Sequence, residues 1–166
     1  DNSLGVDVNT RLWYQLAKEN PNTASVTNTY VDTVTGGLVV TVSRGIYDGS
    51  TMVGVVGMDI PLTALINELS DITIGETGYL TVYDTDNVVL YHPDSSLQMT
   101  SINDIGYSDN MFSALSSNSN SHAMEYTRSG IKYCGSTTYI ESTGWKVLAC
   151  MPDKEFNQEV NLAKGI

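Results

Sequence analysis

Three side chains that carry hydrogen-bond donors or large rings lie close together near the start of the chain. Arg11, Trp13 and Tyr14 occur in the segment TRLWYQLAKENP, although the 166 residues include only eight lysines and arginines. Arg11 and Trp13 share a side if the backbone is extended there, and Tyr14 then begins a helix. A guanidinium and an indole N–H both donate, which suits a carboxylate. The alternative is that the rings pack in the core while Arg11 reaches into water.

Three residues further along the chain supply acceptors. Tyr30 and Asp32 are two positions apart on a predicted strand, so they share a face. Asp59 is the only charged residue in the segment MVGVVGMDIPLTALI. A carboxylate at the end of a buried strand needs a partner, because its burial alone is costly. Asp59 therefore either caps the helix that follows Pro61 or faces a cavity and holds a cation.

Donors and acceptors together suit a zwitterion. A free α-amino acid needs donors for its carboxylate and acceptors for its ammonium group, and one Arg with two Asp residues meets both needs. Two alternatives stay open. The same groups suit a small amine held by ion pairing and cation–π contact. A structural or adhesive module without a small ligand would instead have Trp13 and Tyr14 fully packed.

Composition and missing motifs exclude several other classes. The net charge of −11 argues against nucleic acid and anionic membrane surfaces. No apolar run is long enough to span a membrane. Hydrolase, metalloprotease, phosphate-loop and dinucleotide motifs are missing, so an enzyme is the poorer interpretation and we predict no metal or cofactor. The lone histidines His92 and His122 are predicted to lie on the surface.

The remaining pattern predicts an α+β fold. Thr, Val, Tyr, Ser and Gly are abundant, which favours strands. A Gly, strand, Pro, helix order occurs twice, at Gly54–Pro61 and Gly144–Pro152, and favours two small antiparallel sheets with helices on one face. Helices are predicted at 13–20, after Pro61, near 110–115 and at 153–166. Strands are predicted within 24–37, 38–50, 51–60, 79–83, 88–91, 123–128, 132–142 and 144–152.

The two cysteines lie on strands that are predicted to pair. If the turn between them is centred on Ser142, Cys134 lies directly opposite Cys150, at a separation that permits a disulfide. Two buried free thiols packed as small hydrophobic groups are the alternative. A bridge would imply an oxidising compartment.

The motif as a whole resembles a known sensor family. Arg11, Trp13 and Tyr14, then Tyr30, then an Asp closing a GVVGMDI strand resemble the double Cache (dCache) domains of bacterial chemoreceptors and sensor histidine kinases, in particular their amino-acid-binding subset. The likeness covers nearly the whole chain. It implies two PAS-like antiparallel-sheet modules, with a membrane-distal ligand module at 1–71, a membrane-proximal module at 72–151 and a helix toward the membrane at 152–166.

The resemblance also implies roles for the candidate residues. In this family the Arg and Trp hold the ligand carboxylate, which assigns Arg11, Trp13 and Tyr14 to that group. Tyr30, Asp32 and Asp59 are assigned to the ammonium group. The domain would be extracytoplasmic, anchored to the membrane through other segments of a receptor that can form a homodimer.

Two features depart from the family pattern. A Tyr is common five residues before the Arg, whereas this chain has Val6 there, followed by Asp7. The long N-terminal helix of the distal module is also missing. Since the chain does not start with Met, we interpret it as a fragment of a longer receptor.

Overall fold

The computed structural model describes residue 5 and residues 7–165 of the chain. Val6, one of the two departures from the family pattern, lies outside them. The chain divides into two compact units, Asp1–Ala64 (unit 1) and Leu65–Ile166 (unit 2). The division falls inside helix α2 (Leu62–Ser70), and the last helix belongs to unit 2.

Unit 1 is a four-stranded antiparallel sheet with a helix. Strand β3 (Leu38–Asp48) pairs along its length with β4 (Thr51–Pro61), as the Asp-Gly-Ser turn between them predicts. The short strands β1 (Ser25–Val26) and β2 (Tyr30–Val31) follow one another along the other side of β3. Helix α1 (Leu12–Glu19) packs against β3 and buries Ala17.

The single strand predicted within residues 24–37 is wrong, because that segment is divided at Thr27. The hydroxyl oxygen of Thr27 accepts the Thr41 N–H at 2.9 Å, while the Thr27 N–H donates to the Thr41 carbonyl at 3.0 Å. A side chain thus takes a place that a backbone carbonyl has in a regular ladder. Pairing resumes at Tyr30, which lies opposite Val39.

Unit 2 is a five-stranded antiparallel sheet in the order β6-β5-β9-β8-β7. Its elements after α2 are β5 (Tyr79–Tyr83), β6 (Val89–Tyr91), α3 (Asp109–Ser116), β7 (Met124–Arg128), β8 (Ile131–Ile140), β9 (Trp145–Pro152) and α4 (Asp153–Lys164). Alternate residues of the strands and one side of α3 form its core, which contains Tyr83, Val89, Ile102, Ile105, Met111, Leu115, Tyr126, Tyr133, Leu148 and Cys150. Two antiparallel sheets with few helices confirm the predicted α+β, PAS-like fold.

The predicted register of the two cysteine strands is wrong by one residue. Cys150 lies opposite Gly135, and Cys134 lies opposite Met151. Because successive side chains of a strand point to opposite faces, this shift places the two thiols on different faces of the sheet. Both thiols are free and buried, so the alternative without a disulfide holds.

We therefore expect the two thiols to stay reduced and slow to react. Burial raises the pKa of Cys134 and Cys150, which keeps the unreactive thiol form dominant at neutral pH. Ellman's reagent should titrate both thiols in denaturant without added reductant, and react slowly with the native protein. A native mass lower by two hydrogens than that of the reduced protein would contradict this.

Helix α4 is fixed to the start of the unit 2 sheet by Glu155. Its carboxylate accepts the backbone N–H of Glu76 at 2.6 Å and that of Thr77 at 3.1 Å, together with the Thr77 hydroxyl. A side chain at Gly75 would collide with this carboxylate, since a Cβ built there overlaps Glu155 Oε1. The bonds from Thr77 and Glu76 lower the pKa of Glu155.

Because the folded-state pKa of Glu155 is depressed, its ionised form stabilises the fold at neutral pH, and this contribution is lost as pH falls below the ordinary value of 4.5. We expect Glu155→Gln to lower the melting temperature at pH 7, and the gap from the parent to shrink in acid. Glu141→Gln, on an exposed turn residue, is the control. A gap that is constant with pH would show that the charge is unimportant.

Candidate ligand-binding site

Two of the predicted ligand residues, Tyr30 and Asp59, share the face of the unit 1 sheet that α1 covers. Opposite residues of an antiparallel pair project to the same side. Tyr30 lies opposite Val39, and Asp59 lies opposite Thr41, two positions along β3, so Tyr30, Thr41 and Asp59 share one face. The Ser43 hydroxyl on that face donates to the Trp13 carbonyl at 2.7 Å and so fixes α1 above it.

A hydrogen-bond chain links Tyr30 to Asp59 through Thr41. The Thr41 hydroxyl donates to Asp59 Oδ1 at 2.6 Å, and its oxygen lies 2.6 Å from the Tyr30 hydroxyl. A hydroxyl has one proton, and that of Thr41 is donated to Asp59. The Tyr30 hydroxyl must therefore be the donor in its bond with Thr41. The Tyr30 hydroxyl also lies 3.5 Å from Asp59 Oδ1. This order leaves the Tyr30 lone pairs free to accept and presents Asp59 as an oriented carboxylate.

The sequence predicts Asp59 at the end of a buried strand, where it either caps the next helix or faces a cavity. It does not cap the helix, and its side chain is not buried. Asp59 lies within β4, paired with Thr41, and α2 begins only at Leu62 after Pro61. The Asp59 side chain is exposed, as are most residues of β4, which pairs with β3. The printed bonds of the carboxylate go across the sheet to Thr41 and Tyr30, so its position suits a ligand contact better than a cap.

The backbone just before Arg11 forms a short element that the sequence did not predict. A short 3-10 turn at Val8–Thr10 precedes Arg11, which is extended, and α1 already begins at Leu12. Trp13 and Tyr14 are therefore both helical, and only Arg11 lies on extended chain. The Arg11 guanidinium donates through Nη2 to the Thr33 hydroxyl, in the turn after β2. This contact directs the cation toward the end of the sheet that carries Tyr30.

Asp32 lies next to the site, but its carboxylate holds a turn. Oδ1 accepts the Val34 N–H at 3.2 Å, and Oδ2 accepts the Thr35 N–H at 2.8 Å and the Thr35 hydroxyl at 2.6 Å. These bonds, first that from the Thr35 hydroxyl, lower the pKa of Asp32. Asp32 is only 9% exposed and shapes the turn between β2 and β3. A direct role on an ammonium group remains a prediction.

Trp13 and Tyr14 are half-buried rather than fully packed. Their rings meet edge to face, with centroids 5.9 Å apart. The Trp13 ring lies over the sheet, with Cε3 3.7 Å from where a Cβ of Gly57 would stand. Within residues 7–165 the indole N–H has no hydrogen-bond partner, so it is available to a ligand. The structural or adhesive alternative predicted full packing of these two rings.

The charges of the site act on Tyr30. Burial raises the pKa of Tyr30, the Thr41 bond opposes that rise, and the negative charges of Asp59 and Asp32 add to it. Arg11 acts in the opposite direction. The candidate carboxylate-binding cation and both candidate ammonium-binding carboxylates therefore act on one phenol.

Thr41 and Thr33 are the polar residues that sequence reasoning missed. Threonine is common in strands and turns, so neither residue type stands out. The β3–β4 turn alone would pair Thr41 with Met58, since Asp48 lies opposite Thr51, and it is the register shift between Ile46 and Tyr47 that brings Thr41 opposite Asp59. Thr33 lies beside Arg11 only through tertiary packing, which no local signal predicts.

Other features of the described chain do not add to this site. A cleft of about 430 Å³ lies toward the β3–β4 turn and is lined by Pro21, Asn22, Arg44, Gly45, Tyr47, Gly49 and Ser50, none of them a predicted ligand residue. In the described part of the chain, no group of three His, Cys, Asp or Glu side chains is arranged to hold a metal. None of the described helices is long and apolar enough to cross a membrane.

The fold and this arrangement agree with a family match over most of the chain. Residues 2–160 match the model of the Cache domain. The chain belongs to the Cache domain family. The match confirms the resemblance drawn from Arg11, Trp13, Tyr14, Tyr30 and Asp59, and it covers both sheets.

Relatives of this Cache domain are receptors. The methyl-accepting chemotaxis protein McpG of Pseudomonas putida is 33% identical over 101 residues, which are 61% of this chain and 16% of McpG. McpB of Bacillus subtilis is 28% identical over 147 residues, 89% of this chain and 21% of McpB. The chain thus spans about a fifth or less of these relatives.

Solved Cache structures share the fold. The ligand-binding domain of the Pseudomonas fluorescens chemoreceptor CtaA, in complex with L-leucine, gives a TM-score of 0.68 at 29% identity, covering 90% of this chain and 62% of that one. The ligand-binding domain of the Pseudomonas aeruginosa chemoreceptor PctB, in complex with L-Arg, gives 0.70 at 22% identity, covering 93% and 64%. The second likeness shows the fold alone.

Proposed function

We propose that the chain is the extracytoplasmic ligand-sensing domain of a bacterial transmembrane receptor, and that unit 1 binds a free amino acid. The observation that carries this proposal is the Tyr30–Thr41–Asp59 hydrogen-bond chain on the face beneath α1, together with an Arg11 guanidinium that is held at Thr33 and influences Tyr30. Known ligands of a similar domain support it, since CtaA was solved with L-leucine and also with L-isoleucine. Chemotaxis is the proposed output, because the matched relatives are chemotaxis receptors.

Each end of the ligand has a partner of suitable chemistry. The Arg11 guanidinium and the Trp13 indole N–H donate to the carboxylate, and Asp59 with the Tyr30 lone pairs accepts from the ammonium group. Thr41 contributes indirectly, because it fixes the proton of Tyr30 and one oxygen of Asp59. If these contacts are stronger in one of two receptor states, the ligand favours that state, since only a difference in affinity can shift the equilibrium between the two states.

A small amine is the second candidate. The observation that favours it is the exposed carboxylate of Asp59 on the strand over which the half-buried Trp13 ring lies, at Gly57. Carboxylates and aromatic faces hold an ammonium group without any need for Arg11.

The first test is a thermal-shift screen of this chain against the proteinogenic amino acids, with polyamines, choline and dicarboxylates as controls. A ligand at a hundred times its Kd stabilises by about 2.7 kcal/mol, which is several degrees for a domain of this size. Stabilisation by a group of amino acids supports the proposal. Stabilisation by amines alone would replace it with the second candidate, and silence toward every compound would overturn both.

A further inference from the structure

A cationic side chain crosses the core face of the unit 2 sheet. Arg128 ends β7, one edge of the sheet, yet its Nη1 contacts Nε2 of His92, which directly follows β6 at the other edge. On the way its guanidinium carbon lies 5.3 Å from the ring centroid of Tyr133 and 5.9 Å from that of Tyr79. Arg128 therefore lies over the middle of the sheet, on the side that carries the core.

The predicted surface position of His92 is wrong, and its burial has a consequence for the proton. The side chain is only 3% exposed, and its Nδ1 accepts the backbone N–H of Asp94 at 2.8 Å. A backbone N–H can only donate, so Nδ1 carries the lone pair and a neutral ring carries its proton on Nε2. That Nε2–H points at an N–H of Arg128. Two donors thus face one another.

Protonation of His92 does not resolve this conflict. A charged imidazole would have a proton on both nitrogens, one facing the Asp94 N–H and the other facing a guanidinium. Burial and the charge of Arg128 lower the pKa of His92 to about 4, so the ring is neutral at physiological pH. An acceptor within reach of both Nε2–H and Nη1–H satisfies both donors, and because these nitrogens are in direct contact the guanidinium must move back to admit it.

The charge of Arg128 also lacks a direct counterion in the described part of the chain. Its neighbours Tyr133, Tyr79 and Tyr107 are phenols, and the Tyr133 hydroxyl lies 3.4 Å from Nη2. Asp94 is influenced by Arg128, but its Oδ1 accepts the N–H and hydroxyl of Ser96 at 3.0 and 2.6 Å. A water molecule would satisfy the facing donors but leave the partly buried charge uncompensated.

We propose that unit 2 holds a second ligand site, formed by Arg128, His92 and Tyr133, that binds a small monocarboxylate. One carboxylate oxygen accepts from His92 Nε2–H and Arg128 Nη1–H, and the planar group matches the guanidinium fork. Tyr79 and Tyr133 flank the guanidinium, and Arg128 is partly exposed, which gives access from solvent. This site needs no ammonium partner, so its ligand differs in class from the amino acid proposed for unit 1.

The test is isothermal titration and thermal shift with sodium acetate, against sodium chloride at matched ionic strength. The parent should show saturable stabilisation by acetate, and Arg128→Gln should weaken acetate at least about tenfold, the usual effect of losing a charge-assisted bond. Lys132→Gln, which removes an equal charge from an exposed position on β8, should match the parent. Stabilisation that rises without saturation, or equally in all three proteins, is a general salt effect and overturns the proposal.

A second measurement on the parent guards against a variant that does not fold. Side-chain 15N resonances of His92 should show the Nε2–H form and should shift on addition of acetate, while those of the exposed His122 stay unchanged. If His92 does not respond, or responds as His122 does, the site does not exist. Asp59→Ala should still respond to acetate. The acetate result therefore does not depend on whether unit 1 binds an amino acid.

Discussion

Replacing Asp59 by alanine is expected to weaken amino-acid binding about ten- to hundredfold. The carboxylate is exposed on β4, and the Thr41 hydroxyl orients one of its oxygens. A charge-assisted contact with the ligand ammonium group contributes about 1.5 to 3 kcal/mol, which gives that range of affinity. Isothermal titration with the amino acid identified in the thermal-shift screen measures it directly.

Two matched variants separate charge from structure in this experiment. Asp59→Asn keeps an acceptor for Thr41 but removes the negative charge, so it should weaken binding almost as much as Asp59→Ala. Asp48→Ala removes an equal charge from the exposed end of β3 and should bind like the parent. If Asp59→Ala binds as tightly as Asp48→Ala, then Asp59 only stabilises the sheet through Thr41, and the zwitterion site is wrong.

Much of the fold follows from local patterns. The β3–β4 hairpin has an Asp-Gly-Ser turn between two apolar runs, and α2 has a repeating apolar stripe after Pro61. Such signals depend only on neighbours in the chain, so they predict elements well. The break at Thr27 was not predictable in this way, because it depends on a side-chain bond to Thr41 on another strand.

Pairing register limits what the sequence can say about contacts. A shift of one residue between β8 and β9 reverses the faces of Cys134 and Cys150, and nothing in the turn sequence distinguishes the two registers. The same limit applied to Asp59, whose partner Thr41 depends on register. His92 was misplaced for a related reason, because a loop-like sequence does not show that an arginine from the far edge of the sheet covers it.

The proximity of Asp59 and Tyr30 was nevertheless predictable from residue type. An isolated carboxylate in an apolar segment is unusual, and Asp59 does lie beside Tyr30. Asp32 shows where residue type misleads. Asp is also a common turn residue, and both of its oxygens hold the Val34 and Thr35 groups of the β2–β3 turn.

Replacing Arg11 by alanine is expected to separate the two candidate ligand classes. The variant should lose amino-acid binding by about a hundredfold, at the upper end for a charged hydrogen-bond partner, because the carboxylate loses its cation. An amine with the same side chain and no carboxylate should bind Arg11→Ala at least as well as the parent, since removal of a nearby positive charge favours a cation. Titration of both compounds into both proteins measures the difference.

The position of Arg11 means that this substitution does not remove a side-chain cap of helix α1. Arg11 is the N-cap residue of α1 but forms no side-chain cap bond, so truncation of its side chain leaves the helix start unchanged. Lys18→Ala, in the last turn of the same helix, removes an equal charge away from the site and is the control. Thr33→Val removes the hydroxyl that receives the guanidinium and should cost less than Arg11→Ala, because the charge remains. An equal loss of amine and amino acid in Arg11→Ala would mean that Arg11 supports the fold of the site rather than binding a carboxylate.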